Sequence, residues 1–137
     1  MKFLFLIIPL FLISSSSTTK FVFEGELFCY KPDFSYSVQI VEKTQPSKTI
    51  ISESKGTSKT HDKHFEIEGI AETNGTDTPH HDIDIDVIHN CYPDGHFNTI
   101  SHHVGEFHIE AEVIKQFIKF DLNDKIWEQI KSKIHKK

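Results

Sequence analysis

The sequence contains no arginine, because all 15 of its basic residues are lysine. Arginine is the residue that holds carboxylate and phosphate groups through two parallel hydrogen bonds, so mechanisms that need such a grip are excluded. The formal net charge is −5, and it becomes −6 if Lys2 is removed with a leader segment. This mildly acidic balance argues against nucleic acid as a partner.

Long apolar runs are absent except near the N-terminus, where the pattern is that of a secretory signal peptide. Lys2 is followed by apolar residues 3–13, interrupted by Pro9, and then by small residues 14–17. A membrane-spanning helix needs about 20 apolar residues, so this run is too short for an anchor. We expect residues 1–17 to be a signal peptide, cleaved between Ser16 and Thr19. Residues 18–137 are then one secreted, extracellular domain with no transmembrane segment.

The motifs of the common enzyme classes are missing as well. The chain has no G-x-S-x-G elbow, no P-loop and no H-E-x-x-H sequence. We therefore expect no catalytic residues and no cofactor, and a domain that works by binding an unknown extracellular protein, lipid or small ligand.

Regular alternation of apolar and polar residues predicts β-strands. In the clearest strand, residues 82–91, three aspartates occupy one face and the other face carries Ile83, Ile85, Val87, His89 and Cys91. Six further strands are predicted at residues 21–30, 35–42, 49–52, 65–68, 104–113 and 116–122. Residues 70–79 form a connection with at most one helical turn. About seven strands joined by turns predict an all-β sandwich with Ig-like architecture.

The two cysteines, Cys29 and Cys91, both fall on apolar faces of their predicted strands. In an oxidising compartment an even pair of cysteines indicates one disulfide, here crosslinking the core. The alternative is two free buried thiols.

Ten histidines are scattered through the chain, several of them near Asp82, Asp84 and Asp86. Alternate residues of a strand lie about 7 Å apart, too far for three carboxylates to share one small ion. The spacing also differs from that of zinc sites. We expect a solvated polar face and no metal site, with a histidine-rich metal-binding protein as the alternative. His89 is expected to be buried and hydrogen-bonded.

Two loops carry candidate functional residues. Asn74 begins an Asn-Gly-Thr sequon, so we expect glycosylation there. The segment from residue 92 to 103 is the candidate binding loop, because loops on a rigid sandwich vary freely. Its candidate contact residues are Tyr92, Phe97, His102 and His103.

The C-terminal segment after Asn123 has a different spacing. Ile126, Ile130 and Ile134 recur every four residues, which predicts a short helix, although a continued strand through Trp127 fits nearly as well. The lysines of residues 131–137 form a basic tip, which is either a solvated terminus or a contact with an anionic surface.

Three motifs together resemble the nematode transthyretin-like family of secreted proteins. They are the run Gly25-x-Leu27-x-Cys29 before Lys31-Pro32, the set Phe65, Ile67, Gly69 and Glu72, and the strand Val87-Ile88-His89-Asn90-Cys91, with a weaker echo at Phe120-Asp121-Leu122. The resemblance implies a prealbumin-like sandwich, secretion and no established catalysis. Many members carry a further cysteine pair, which this chain lacks. A related group hydrolyses 5-hydroxyisourate with histidines, an arginine and a C-terminal Y-R-G-S. This chain has neither the arginine nor that ending, so the enzyme is the least favoured alternative.

Overall fold

The structure, a computed structural model, describes residues 17–44, 47–73, 80–108 and 112–123. These residues form seven strands and no helix, so the described part contains no helix long and apolar enough to cross a membrane. In chain order the strands are β1 (Ser17–Phe28), β2 (Phe34–Thr44), β3 (Ser47–Ser58), β4 (Asp62–Thr73), β5 (His80–His89), β6 (Asn98–His108) and β7 (Val113–Asp121).

The strands form two sheets, which confirms the predicted all-β sandwich. One sheet has three strands in the order β4-β1-β7, and the other has four in the order β3-β2-β5-β6. Neighbouring strands are antiparallel except for β1 and β7, which run parallel. Each sheet therefore has an inner face toward the core and an outer face.

The core follows the predicted alternation. On β1, Phe21, Phe23 and Leu27 are fully buried between the sheets, and Ile83 and Ile85 are buried opposite them on β5. Each such side chain contributes about 1.5–3 kcal/mol through its removal from water. The same inner-facing positions also hold two buried histidines, described below with the site.

The predicted disulfide between Cys29 and Cys91 is confirmed, and it joins the two sheets. Cys29 follows β1 in one sheet and Cys91 follows β5 in the other, and both side chains are fully buried. Their Cα atoms lie 5.9 Å apart, within the normal range for a disulfide.

Two predicted strand boundaries are wrong. The polar stretch after β2 forms the whole of β3, not a short piece at residues 49–52. Because β3 is an edge strand with a solvated outer face, hydrogen bonds to β2 support it without a strong apolar pattern. The predicted strand at 104–113 is also wrong, since β6 runs from Asn98 to His108 and Val113 begins β7 in the other sheet. Val113 is 50% exposed there.

Several predictions fall wholly or partly outside the described residues. They concern the signal peptide, the sequon at Asn74 and the segment after Asn123. The predicted connection at 70–79 is described as far as residue 73, and this part continues β4. The cleavage window between Ser16 and Thr19 overlaps the start of β1, where the Thr19 side chain is buried.

Candidate functional site on the outer face of the four-stranded sheet

A groove of about 460 Å³ lies on the outer face of the four-stranded sheet. Its volume is within the range of small-molecule sites, about 300–1,000 Å³. It is lined from three strands and the segment before β6 by Ser35, Tyr36, Ser37, Gln39, Glu53, Lys55, Gly56, Ile88 and Phe97.

Ser37 forms the floor of the groove. In the strand register it lies between Lys55 on β3 and Ile88 on β5. Its side chain is 9% exposed, and its Oγ has no hydrogen-bond partner among the described residues. The Oγ is also closed to solvent, so Ser37 gives the groove a small floor, and its unpaired hydroxyl, which costs about 1–3 kcal/mol, lies beneath that surface.

The rim of the groove is charged on one side and apolar on the other. Glu53 accepts a hydrogen bond of 2.6 Å from Gln39 Nε2 and forms an ion pair of 3.0 Å with Lys55 Nζ. These hydrogen bonds, that of Gln39 first, lower the pKa of the Glu53 carboxyl, so it is ionised at neutral pH. On the other side Phe97, 60% exposed, stands near Ile88 and offers an aromatic surface to a ligand.

The predicted aspartate row lies beside the groove on the same outer face. Its middle member, Asp84, is 3% exposed although it faces outward. One oxygen is 2.8 Å from Lys43 Nζ, and the other accepts a hydrogen bond of 2.9 Å from His103 Nδ1. Burial alone raises the pKa of Asp84, but these two partners outweigh it and the net shift is downward. Asp84 is therefore an ionised carboxylate with its charge already compensated.

Ligating atoms of Asp82, Asp84 and His103 lie within 4.8 Å of one another. The spacing along one strand had suggested that the ligating atoms lie farther apart. That spacing did not include the bulge in the pairing of β5 with β6. The register shifts between Ile83 and Asp84, which places His103 directly opposite Asp84. A metal ion would have to displace the Lys43 ammonium from Asp84, so the absence of a tight metal site stays our prediction.

His89 is fully buried and its Nδ1 accepts a hydrogen bond of 3.0 Å from the Cys91 backbone N–H. Burial lowers its pKa to about 4, so the ring is neutral at pH 7 with its proton on Nε2. The ring stacks on Tyr92 at 5.4 Å, and Tyr92 stacks on His96 at 4.1 Å. These contacts assign His89 a structural role next to the disulfide.

His81 is the buried histidine that the sequence analysis missed. Its Nδ1 lies 2.7 Å from Glu42 Oε1, and its ring packs edge-on against Phe21. The signal was present, because His81 continues the inward alternation of Ile83 and Ile85.

The four residues of the candidate binding loop do not form one surface. Tyr92 is buried, where its hydroxyl accepts a hydrogen bond of 3.1 Å from Asn98. His102 and His103 lie within β6 and point to opposite faces, with His102 against Phe120 of the other sheet. Of the four, Phe97 lines the groove. Sequence reasoning missed Ser37 and Ile88 because the groove depends on how three strands align.

The low pKa of His89 predicts a stability loss in acid. Because the folded-state pKa, about 4, lies below the ordinary value, this contribution is complete above about pH 6.5 and is lost as pH falls toward 4. The variant His89→Asn keeps an acceptor for the Cys91 N–H but cannot titrate there. Urea unfolding at about pH 7 and about pH 4.5 should show a smaller acid loss for the variant than for wild type. The exposed His64→Asn is the control, and equal losses in all three proteins would contradict the prediction.

Comparisons of the chain with protein-family models, curated proteins and solved structures found no match.

Proposed function

We propose that the chain is a secreted, non-catalytic binding domain that holds a ligand in the groove above Ser37. The observation that carries this proposal is the groove itself, where the Phe97 ring is 60% exposed beside Ile88 and the Glu53–Lys55 ion pair forms the charged rim. A ligand in the groove would cover the exposed ring of Phe97 and remove its apolar surface from water. A mostly apolar groove with a few fixed polar groups is the usual form of a small-molecule site.

The surroundings of Ser37 support binding over catalysis. A serine nucleophile needs an adjacent base, and no histidine is among the residues that line the groove. The carboxylate of the groove, Glu53, is paired with Lys55 and Gln39. Both cysteines are held in the disulfide.

Secretion and membership of the transthyretin-like family belong to the same proposal. The three motifs support the family, and a two-sheet sandwich is the coarse fold that the resemblance implies. The inter-sheet disulfide supports an oxidising compartment, since such bonds persist mainly outside the cytosol. In this view Asn74 carries a glycan, as a sequon in an exported chain would.

The neutral probe 2-phenylethanol tests the groove directly. In wild-type protein its addition should shift the amide NMR signals of residues 35–39 and 88. Phe97→Ala should weaken its binding about tenfold, equivalent to about 1.4 kcal/mol for the lost ring contact.

Phe117→Ala is the matched control. Phe117 is 53% exposed on β7, on the outer face of the other sheet, and should not affect the affinity. Unchanged binding by Phe97→Ala, or shifts centred on Phe117, would overturn the proposed site.

A further inference from the structure

We infer that the groove selects small organic cations, with an apolar ring against Phe97 and Ile88 and an ammonium group directed to Asp86. This inference rests on the proposed binding function and names its ligand class. It follows from where Asp86 lies, from how the charges near the groove are paired, and from the hydrogen-bonding groups that remain.

Asp86 lies beside the residues that line the groove, on the same outer face. It is directly opposite Gln39 in the register of β2 and β5, and Gln39 lines the groove. It is also the alternate neighbour of Ile88 along β5, at a spacing of about 7 Å. A ring placed over Ile88 with a two-carbon chain therefore reaches the Asp86 carboxylate.

The charges around Asp86 leave it without a cation. Its Oδ1 accepts a hydrogen bond of 2.7 Å from Ser101 Oγ, and no lysine of the described chain forms an ion pair with it. Lys43 is bonded to Asp84 at 2.8 Å, and this hydrogen bond is the main reason that the pKa of Lys43 is raised, with the charge of Asp86 the smallest contribution. Lys55 is held by Glu53 at 3.0 Å. Asp86 thus carries a negative charge that no neighbouring lysine neutralises directly.

The outer face as a whole favours a cation over an anion. Its carboxylates are Glu53, Asp82, Asp84, Asp86 and Glu106, and its lysines are Lys43, Lys48 and Lys55. A carboxylate ligand would have to separate Lys55 from Glu53 and then lie near Asp86. An ammonium ion meets no such cost.

The hydrogen-bonding groups match the same ligand. An ammonium offers three N–H donors and no acceptor, whereas a carboxylate accepts in several directions and a serine hydroxyl accepts as well as donates. The half-buried Asp86 carboxylate, of which one oxygen accepts from Ser101, is thus the acceptor that suits it. Charge-assisted bonds of this kind are about twice as strong as neutral ones.

Three probes of one shape separate charge from fit: 2-phenylethylammonium, 2-phenylethanol and 3-phenylpropionate. The full mature domain is titrated with each at neutral pH, followed by NMR. We expect the ammonium to bind about tenfold tighter than the alcohol, about 1.4 kcal/mol, and the carboxylate to bind weakest. The preference for the ammonium should shrink in high salt, because the Asp86 carboxylate is partly exposed.

Asp86→Asn should abolish the preference for the ammonium while the alcohol binds as before, since the amide oxygen still accepts from Ser101. Glu66→Gln, which removes an exposed carboxylate on β4, is the control and should keep the preference. Equal affinity for the three probes, or a preference that survives Asp86→Asn, overturns the inference and leaves the binding groove standing. Failure of all three probes to bind overturns the proposed function as well.

Discussion

Alanine in place of Gly25 is expected to destabilise the protein by about 3 kcal/mol or more, at the upper end of overpacking substitutions. A Cβ atom at Gly25 would lie 2.0 Å from the backbone oxygen of Ile118 and 2.6 Å from the ring of Phe65. The first contact cannot be relieved by a side-chain rotation, because it is with the backbone of the paired strand β7. Either β1 and β7 separate locally or the sandwich opens.

Urea unfolding measures this effect, with the shift in midpoint multiplied by the slope giving the loss of free energy. The control is Glu26→Ala at the next position, where the side chain is exposed and the change should stay within about 0.5 kcal/mol. A Gly25→Ala protein as stable as wild type would show that β1 and β7 do not approach as closely as described.

Glycine at this position shows what the sequence revealed and what it did not. The alternation of β1 and β5 was clear because each has one face in the core, and it predicted the sandwich and the disulfide. Gly25 entered the sequence argument as part of a motif, without a physical reason. The reason is the close approach of a strand 93 positions later in the chain, Ile118. A pattern of neighbouring residues cannot reveal a contact between positions so far apart in the sequence.

Edges and loops were predicted less well for a related reason. The edge strand β3 has one neighbour, β2, and carries few core residues, so its sequence resembles a loop. Tyr92 was proposed as a contact residue because it lies in a loop of the sandwich. It is buried because His89 and His96 stack on its two sides. Tyr92 is therefore buried although it lies in a loop, because it stacks on one residue of β5 and on one residue of the turn that follows.

The candidate site was predicted in part. The outward-facing aspartates were identified, and Phe97 was among the proposed contact residues. The groove was missed, because Ser37 forms its floor only when Lys55 and Ile88 lie on either side of it. That alignment is a property of the sheet and depends on which strands become neighbours.

Removal of the disulfide is expected to have the largest effect on stability. Cys29 and Cys91 are 62 positions apart, and closing a loop of that length contributes about 4 kcal/mol in the chain-entropy model. A domain of this size has about 5–15 kcal/mol of stability in total, so the loss leaves a marginal fold. The variant Cys29→Ala/Cys91→Ala should therefore unfold at a much lower urea concentration than wild type. Alanine is preferred to serine because both sites are fully buried and a serine hydroxyl would need a partner.

Reductant separates the crosslink from the packing of the sulfur atoms. Wild-type protein treated with dithiothreitol keeps both sulfurs but loses the bond, so it should lose most of the 4 kcal/mol, about the value expected from loop closure alone. The double alanine variant should be slightly less stable still, because two buried sulfur atoms are missing, and it should not respond to the reductant. Native protein that reacts with two equivalents of a thiol reagent would contradict the crosslink itself. A reduced wild-type protein as stable as the oxidised one would show that the two sheets are held together by the packing of Phe21, Phe23 and Ile85, and that the bond adds little to it.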